Sequence, residues 1–202
     1  MPKVSKEYSA ARRQQIIDAA YRCFARKGFH QSTMRDIYEE AQLSPGAVYN
    51  YFSGKDAIVQ ASFEGDSQRS AAIFANAMAS DDPLQAIRDL VAFFFTGLES
   101  AAALGAGRVN VQSWGEALVN PVLHETINGV QQTVLGQVGQ LARRAQEYGQ
   151  IAPDMDAQAI GRVLLALYYG LELQMALDPD VNVNNYAKAV DSMLAALAHK
   201  GK

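Results

Sequence analysis

The sequence predicts an all-α fold of about nine helices, three in a small N-terminal domain and the rest in a larger C-terminal one. Three observations carry this. No stretch alternates apolar and polar residues as a half-buried strand would, and no internal repeat is present. Ser44-Pro45, Asp82-Pro83 and Asn120-Pro121 each pair a capping residue with a proline, which is how prolines start helices rather than break them. Leu123, Ile127, Val130, Val134, Val138, Leu141 and Ala145 form one apolar stripe at helical spacing.

The elements follow in order. The first helix is expected over residues 10–27, ending at Gly28. Residues 33–55 read TMRDIYEEAQLSPGAVYNYFSGK: a short helix capped by Thr33, a tight turn, and a second helix capped by Ser44 with Pro45 at its first position. Met34, Ile37, Ala41, Leu43, Val48 and Phe52 would bury one side of this pair. Longer helices are expected over residues 55–78, 83–102, 107–118, 121–148, 157–176 and 184–198, each bound good to about two to four residues. Pro153 and Pro179 fall in short turns.

The helix over 157–176 has almost no polar side, with Ile160, Val163, Leu164, Leu165, Leu167, Tyr168, Tyr169, Leu171 and Leu173 around it. A helix apolar all round must be covered on every face. A second subunit is the expected cover; burial at the centre of a monomer is the alternative. Gly161 and Leu165 on this helix, and Val190, Met193 and Leu197 on the next, are the expected interface residues.

Composition narrows the function. The 202 residues are 49% hydrophobic, enough for a real core. No uninterrupted apolar run is long enough to cross a bilayer, so no membrane partner is expected. The N-terminus has no signal-peptide core, and Cys23 is the one cysteine, which points to the cytoplasm. The net charge of −3 hides an asymmetry: residues 1–60 carry +3 and residues 61–202 carry −6. Basic residues from Lys3 to Arg35 would hold a polyanion at the N-terminal end only.

What the second short helix leaves exposed is Gly46, Ala47, Tyr49, Asn50 and Tyr51. Small residues followed by hydrogen-bonding aromatics suit a helix pressed into a DNA groove. With RRQQIIDAAYRCFARKGF before it, the segment from Arg12 to Gln60 resembles the N-terminal DNA-binding domain of the tetracycline-repressor (TetR) family of bacterial regulators. Beyond Gln60 only the helical layout is similar.

The resemblance implies a DNA-binding domain over residues 1–54 and an effector-binding and dimerisation domain over 55–202. It implies that Arg35, Gly46, Ala47, Tyr49 and Asn50 face base edges, while Thr33, Ser44, Tyr51 and Lys55 hold phosphates. Many relatives have His where this chain has Tyr51. The resemblance further implies a homodimer on a palindromic double-stranded DNA operator, with the last two long helices pairing across the dimer. It also implies a small-molecule cavity among helices four to eight. Phe63, Phe94, Trp114, Leu118, Tyr168 and Met175 are its candidate walls; Arg108, Gln112, Gln174 and Glu172 are its candidate polar groups. Glu172 is the only charge between Arg162 and Asp178, which favours a largely apolar effector with a cationic or donor group.

Neither a cofactor nor a metal is expected. His124-Glu125 starts like a zinc-protease motif, but Asn128 stands where the second histidine would be. Asp178-x-Asp180-x-Asn182-x-Asn184 starts like a calcium loop, but Val183 replaces its glycine and Ala189 its glutamate, so it reads as a capping turn. Gly105-x-Gly107 lacks both a third glycine and a preceding strand. An all-helical small-molecule-binding protein or enzyme without operator binding is the alternative function.

Overall fold

Ser5 opens the first helix: its extended backbone and its Oγ, which accepts from the Tyr8 amide, start α1 at Lys6. The computed structural model describes residues 5–102 and 104–197. Lys3, His199 and the expected helix end at Ala198 lie outside the described residues.

The elements are α1 (Lys6–Lys27), α2 (Met34–Glu40), α3 (Pro45–Tyr49), α4 (Lys55–Met78), α5 (Pro83–Ala102), α6 (Ala106–Ala117), α7 (Pro121–Glu147), α8 (Ala157–Leu177) and α9 (Val183–Ala196). No strand occurs among the described residues. The all-α fold with an N-terminal helix-turn-helix is therefore as expected, apart from the early start of α1.

Local chemistry explains the boundaries. Asp82 Oδ1 accepts from the Gln85 amide, and Asn120 Oδ1 from the Val122 amide, so both proline-led helices are capped. Asn182 caps α9 through the Asn185 amide, and Asp178 accepts from the Asp180 amide. The aspartate- and asparagine-rich stretch is thus a capping turn. Gly28 ends α1 at φ 83° and Gly149 follows α7 at φ 69°, conformations that side chains resist.

The chain forms two compact units that are not consecutive in sequence. The first comprises Met1–Gly65 and Ala102–Ile127; the second comprises Asp66–Ala101 and Asn128–Lys202. Helices α4 and α7 each contribute residues to both. The first unit buries Ile16, Phe24, Ile37, Val48, Phe52 and Ile58, and α6 packs on α1 within it.

The second unit has its own core, which includes Phe95, Leu141, Ile151, Leu171 and Leu194. Arg88 on α5 clamps Asp191 on α9 with two bonds, from Nε at 2.6 Å and Nη2 at 2.9 Å. Arg144 on α7 donates to the carbonyls of Met78 and Ser80 at the end of α4.

By length and mean hydropathy α8 could cross a bilayer, as core helices often can. Here one side of it packs in the second unit through Ile160, Gly161, Leu164 and Leu171. Its other side shows Val163, Leu173 and Leu177 as exposed apolar residues.

Candidate nucleic-acid interface

Two capping networks set up the pair α2–α3. Thr33 Oγ1 accepts from the Asp36 amide while Asp36 Oδ2 accepts from the Thr33 amide, a reciprocal capping box. Ser44 Oγ accepts from the Ala47 amide, with Pro45 at the first position of α3. Between them Gln42 adopts φ 56°, a left-handed conformation unusual for a residue with a Cβ. Ile37, Ala41, Val48 and Phe52 are buried, and Met34 and Leu43 half-buried, so this apolar face is as expected.

The opposite face carries the expected DNA-facing residues. Ser44, Gly46, Tyr49 and Asn50 are exposed; Ala47 and Tyr51 are half-buried. A Cβ at Gly46 would meet nothing within 4 Å, so the fold itself does not require glycine there. Arg35 is 76% exposed, with its Nε held by Glu39 Oε1 at 2.8 Å, one turn along α2.

Lys55 differs from expectation. Its ammonium donates to the Phe29 carbonyl at 2.6 Å and to the His30 carbonyl at 3.4 Å, and lies 4.6 Å from the Phe29 ring centre. Most of its donor capacity is therefore spent on the turn between α1 and α2. A phosphate role must share the group with this internal one.

The face is braced by charge. Arg22 and Arg26 on α1 both hold Glu40, at 2.7 and 2.6 Å, and Lys27 holds Asp36 at 2.5 Å. The Lys27 bond, followed by those from Thr33, keeps the Asp36 carboxyl far below the usual carboxylate range. Arg22 and Arg26 likewise lower Glu40. A carboxyl whose pKa is lowered by folding stabilises the protein above its unfolded value and loses that contribution as pH falls. The first unit is therefore expected to weaken as pH drops below about 4. Thermal melts across that range check this: Asp36→Asn should flatten the pH dependence, and an unchanged slope would refute the assignment.

The candidate effector residues divide between the units. Phe63, Arg108, Gln112, Trp114 and Leu118 belong to the first; Phe94, Tyr168, Glu172 and Met175 belong to the second. Three of them need correction as cavity residues. Leu118 stands in the turn after α6, 82% exposed, where it walls nothing off from water. Arg108 is also exposed. Gln112 Oε1 accepts from the Phe29 amide at 2.7 Å, so its acceptor is committed inside the first unit. Gln174 is exposed on α8.

The second-unit group is more coherent. Glu172 is 2% exposed. Phe94, Phe95 and Tyr168 lie edge-on or tilted at centroid separations of 6.3–6.5 Å, and Tyr168 meets Tyr169 at 5.9 Å. Burial pushes the Tyr169 phenol up to about 12; a hydrogen bond with Gln131 opposes this, and the Glu172 charge adds to it. A carboxylate near edge-on phenol rings is an environment that attracts cations. Tyr169 and Gln131 were not among the residues singled out, because on an all-apolar helix a tyrosine reads as core.

The interface residues also need one correction. Gly161 faces the chain's own α7, where a Cβ would lie 3.6–3.7 Å from Leu135 and Val138. Val190, 3% exposed, lines the floor of an apolar groove of about 300 Å³ between α8 and α9. Met193, at 58% exposure, and half-buried Leu197 form part of its lining, while Leu165 is half-buried on α8.

The comparisons with known proteins agree with this geometry. Residues 16–62 match the model for bacterial regulatory proteins of the tetR family, and residues 83–199 match that for the C-terminal part of the BetI-type transcriptional repressor. The chain is 27% identical over 187 residues to the HTH-type transcriptional regulator UidR of Escherichia coli K12, covering 92% of each. Among solved structures it is similar to GusR of Salmonella enterica, at 26% identity and TM-score 0.75, with 97% of this chain and 98% of that one covered. A transcriptional regulator from Saccharomonospora viridis in complex with choline has the same fold, at 23% identity and TM-score 0.75, covering 92% and 96%. These relatives are regulators rather than enzymes, and their match extends over both the helix-turn-helix and the C-terminal helices. The chain is a member of the TetR family of bacterial transcriptional regulators.

Proposed function

We propose that this regulator is a homodimeric repressor that binds a palindromic operator in the cytoplasm and leaves it when a small effector binds. The observation that carries the DNA half is Gly46: it sits on an exposed face whose own fold has room for a side chain. A missing side chain there serves whatever approaches α3. In this reading Arg35, Gly46, Ala47, Tyr49 and Asn50 meet base edges, and Thr33, Ser44, Tyr51 and a share of Lys55 meet phosphates. The division of labour is the one implied by the sequence, residues 1–54 for DNA and 55–202 for effector and partner.

Dimerisation is supported by the α8–α9 groove, an apolar surface that one chain leaves open beside Met193 and Leu197. The effector reading rests on Glu172 with Phe94, Tyr168 and Tyr169 in the second unit. It favours an alkylammonium or similar cation on a largely apolar body. That the Saccharomonospora viridis regulator binds choline is consistent with this class.

The experiment is selection of operators from random duplex by the purified chain, followed by titration. Enrichment of a palindrome is expected, with affinity falling steeply as salt rises. Recovery of no enriched sequence would favour the alternative, a helical ligand-binding protein without operator recognition. With the operator in hand, a panel of quaternary ammonium compounds tests the effector class. Glu172→Gln keeps the shape and removes the charge, and should leave operator affinity within about threefold while weakening cation-driven release roughly tenfold or more. Equal release from Glu172→Gln and the wild type would remove Glu172 from the site.

A further inference from the structure

Within the first unit, the backbone of one residue is held on both sides. The N–H of Phe29 donates to Gln112 Oε1 on α6 at 2.7 Å, and the carbonyl of Phe29 accepts from Lys55 Nζ on α4 at 2.6 Å. The turn containing it joins α1 to α2, and four residues later Thr33 caps α2. Gly28, immediately before Phe29, has φ 83°, so this residue lies at a sharp change of direction.

Other bonds tie α6 to the same place. Glu116 Oε2 lies 3.0 Å from His30 Nε2, and the Tyr21 hydroxyl reaches Asn110 Oδ1 at 3.4 Å. Gly105, before α6, would put a Cβ 2.5 Å from the Ala25 Cβ, so α6 meets α1 at a distance only glycine allows. The side chain of His30 is 82% exposed, so its pair with Glu116 is a weak tie. Phe29, by contrast, is only 7% exposed. A buried amide without its acceptor is costly, which makes Gln112 the discriminating contact.

We propose that Gln112 and Lys55 are positioning residues for DNA recognition, which together hold the Phe29 backbone and so set the direction in which α2 and α3 leave α1. Neither role needs contact between Gln112 and DNA. The two holding groups belong to different helices, α6 and α4, so the turn keeps its place only while those helices keep theirs. Gln112 is thereby removed from the effector site and assigned to the DNA-reading half. This inference rests on the DNA-binding reading for its functional consequence, but the clamp itself can be tested without DNA.

The test compares Gln112→Met, which keeps length and loses the acceptor, with Gln112→Glu, which keeps an acceptor oxygen. Amide hydrogen exchange of the full-length chain reads the clamp directly. The Phe29 amide should exchange at least about tenfold faster in Gln112→Met and stay protected in Gln112→Glu. On the selected operator, Gln112→Met should lose about tenfold in affinity and Gln112→Glu stay within about threefold. Circular dichroism and melting check that both variants fold. Slow Phe29 exchange in Gln112→Met overturns the clamp. Fast exchange with wild-type operator affinity overturns its role in DNA positioning. Failure of the wild type to select any operator is separate: it counts against the DNA reading and leaves the exchange result standing.

Discussion

Gly46→Leu is expected to abolish operator recognition while leaving the fold intact. The site is the second residue of α3, on ordinary helical backbone, where an added Cβ finds no neighbour within 4 Å. Replacing glycine in a helix stabilises it, by up to about 1 kcal/mol, so the melting temperature should hold or rise. Against DNA the outcome reverses. A leucine side chain would stand between the helix and the base edges, and a dimer would meet that obstacle twice. A loss of roughly 1–3 kcal/mol at each half-site amounts to about thirtyfold or more in affinity for the pair. Gly46→Ala should lie between the two. Electrophoretic or fluorescence titration on the selected operator measures it. Wild-type affinity in Gly46→Leu would mean that α3 does not press its first turn into the groove.

The second large effect belongs to Met193. In the single chain this residue is 58% exposed on the lip of the α8–α9 groove. Met193→Arg should therefore fold, since the new charge reaches water in the monomer. In a symmetric dimer the same position would face the partner's equivalent surface, and two unpaired guanidiniums would be buried. Breaking or unbalancing buried charge costs about 3–5 kcal/mol, enough to shift a micromolar dimer to monomer. Operator binding should fall with it by at least a hundredfold, because two heads no longer bind as one. Analytical ultracentrifugation decides: a wild-type monomer at micromolar concentration, or a Met193→Arg dimer as tight as wild type, would each place the interface elsewhere. Leu164→Arg makes a useful contrast. Leu164 is buried inside its own chain, so this variant should unfold rather than dissociate.

Helix boundaries were legible because local chemistry sets them. Asp82, Asn120 and Ser44 act on amides two or three residues away, and their proline partners announce them. The start of α1 was missed by four residues, since Ser5 is a cap without a proline or a strong apolar pattern behind it. The buried face of α2 and α3 was legible for the same local reason. What the sequence did not reveal is which helix each amphipathic face meets. Gln112 and Leu118 looked like cavity residues because a polar or apolar position on α6 reads alike whatever it faces. The surroundings of Gln112 come from the turn after α1, more than eighty residues away in sequence, while Leu118 meets water. Gly105 is required both by its left-handed φ of 70° and by the Ala25 Cβ against it, and only the second lies far away in sequence. The charge on Glu172 did stand out, because an isolated carboxylate on an apolar helix is visible without knowing its neighbours.

The discontinuity of the first unit also bears on synthesis. Residues of α1, α2 and α3 leave the ribosome first, but α6 and the start of α7, to Ile127, complete the unit they belong to. Until then Phe29 has no acceptor for its amide, Asp56 lacks its bond from Asn120, and Gln60 lacks its bond to Thr126. The nascent N-terminal part of the unit must wait, half-finished, while the 62 residues from Asp66 to Ile127 are translated, a delay of about 3–12 s at bacterial-like rates. If α2 and α3 read DNA as proposed, competence to do so is timed by the middle of the chain, although those helices are encoded at its beginning.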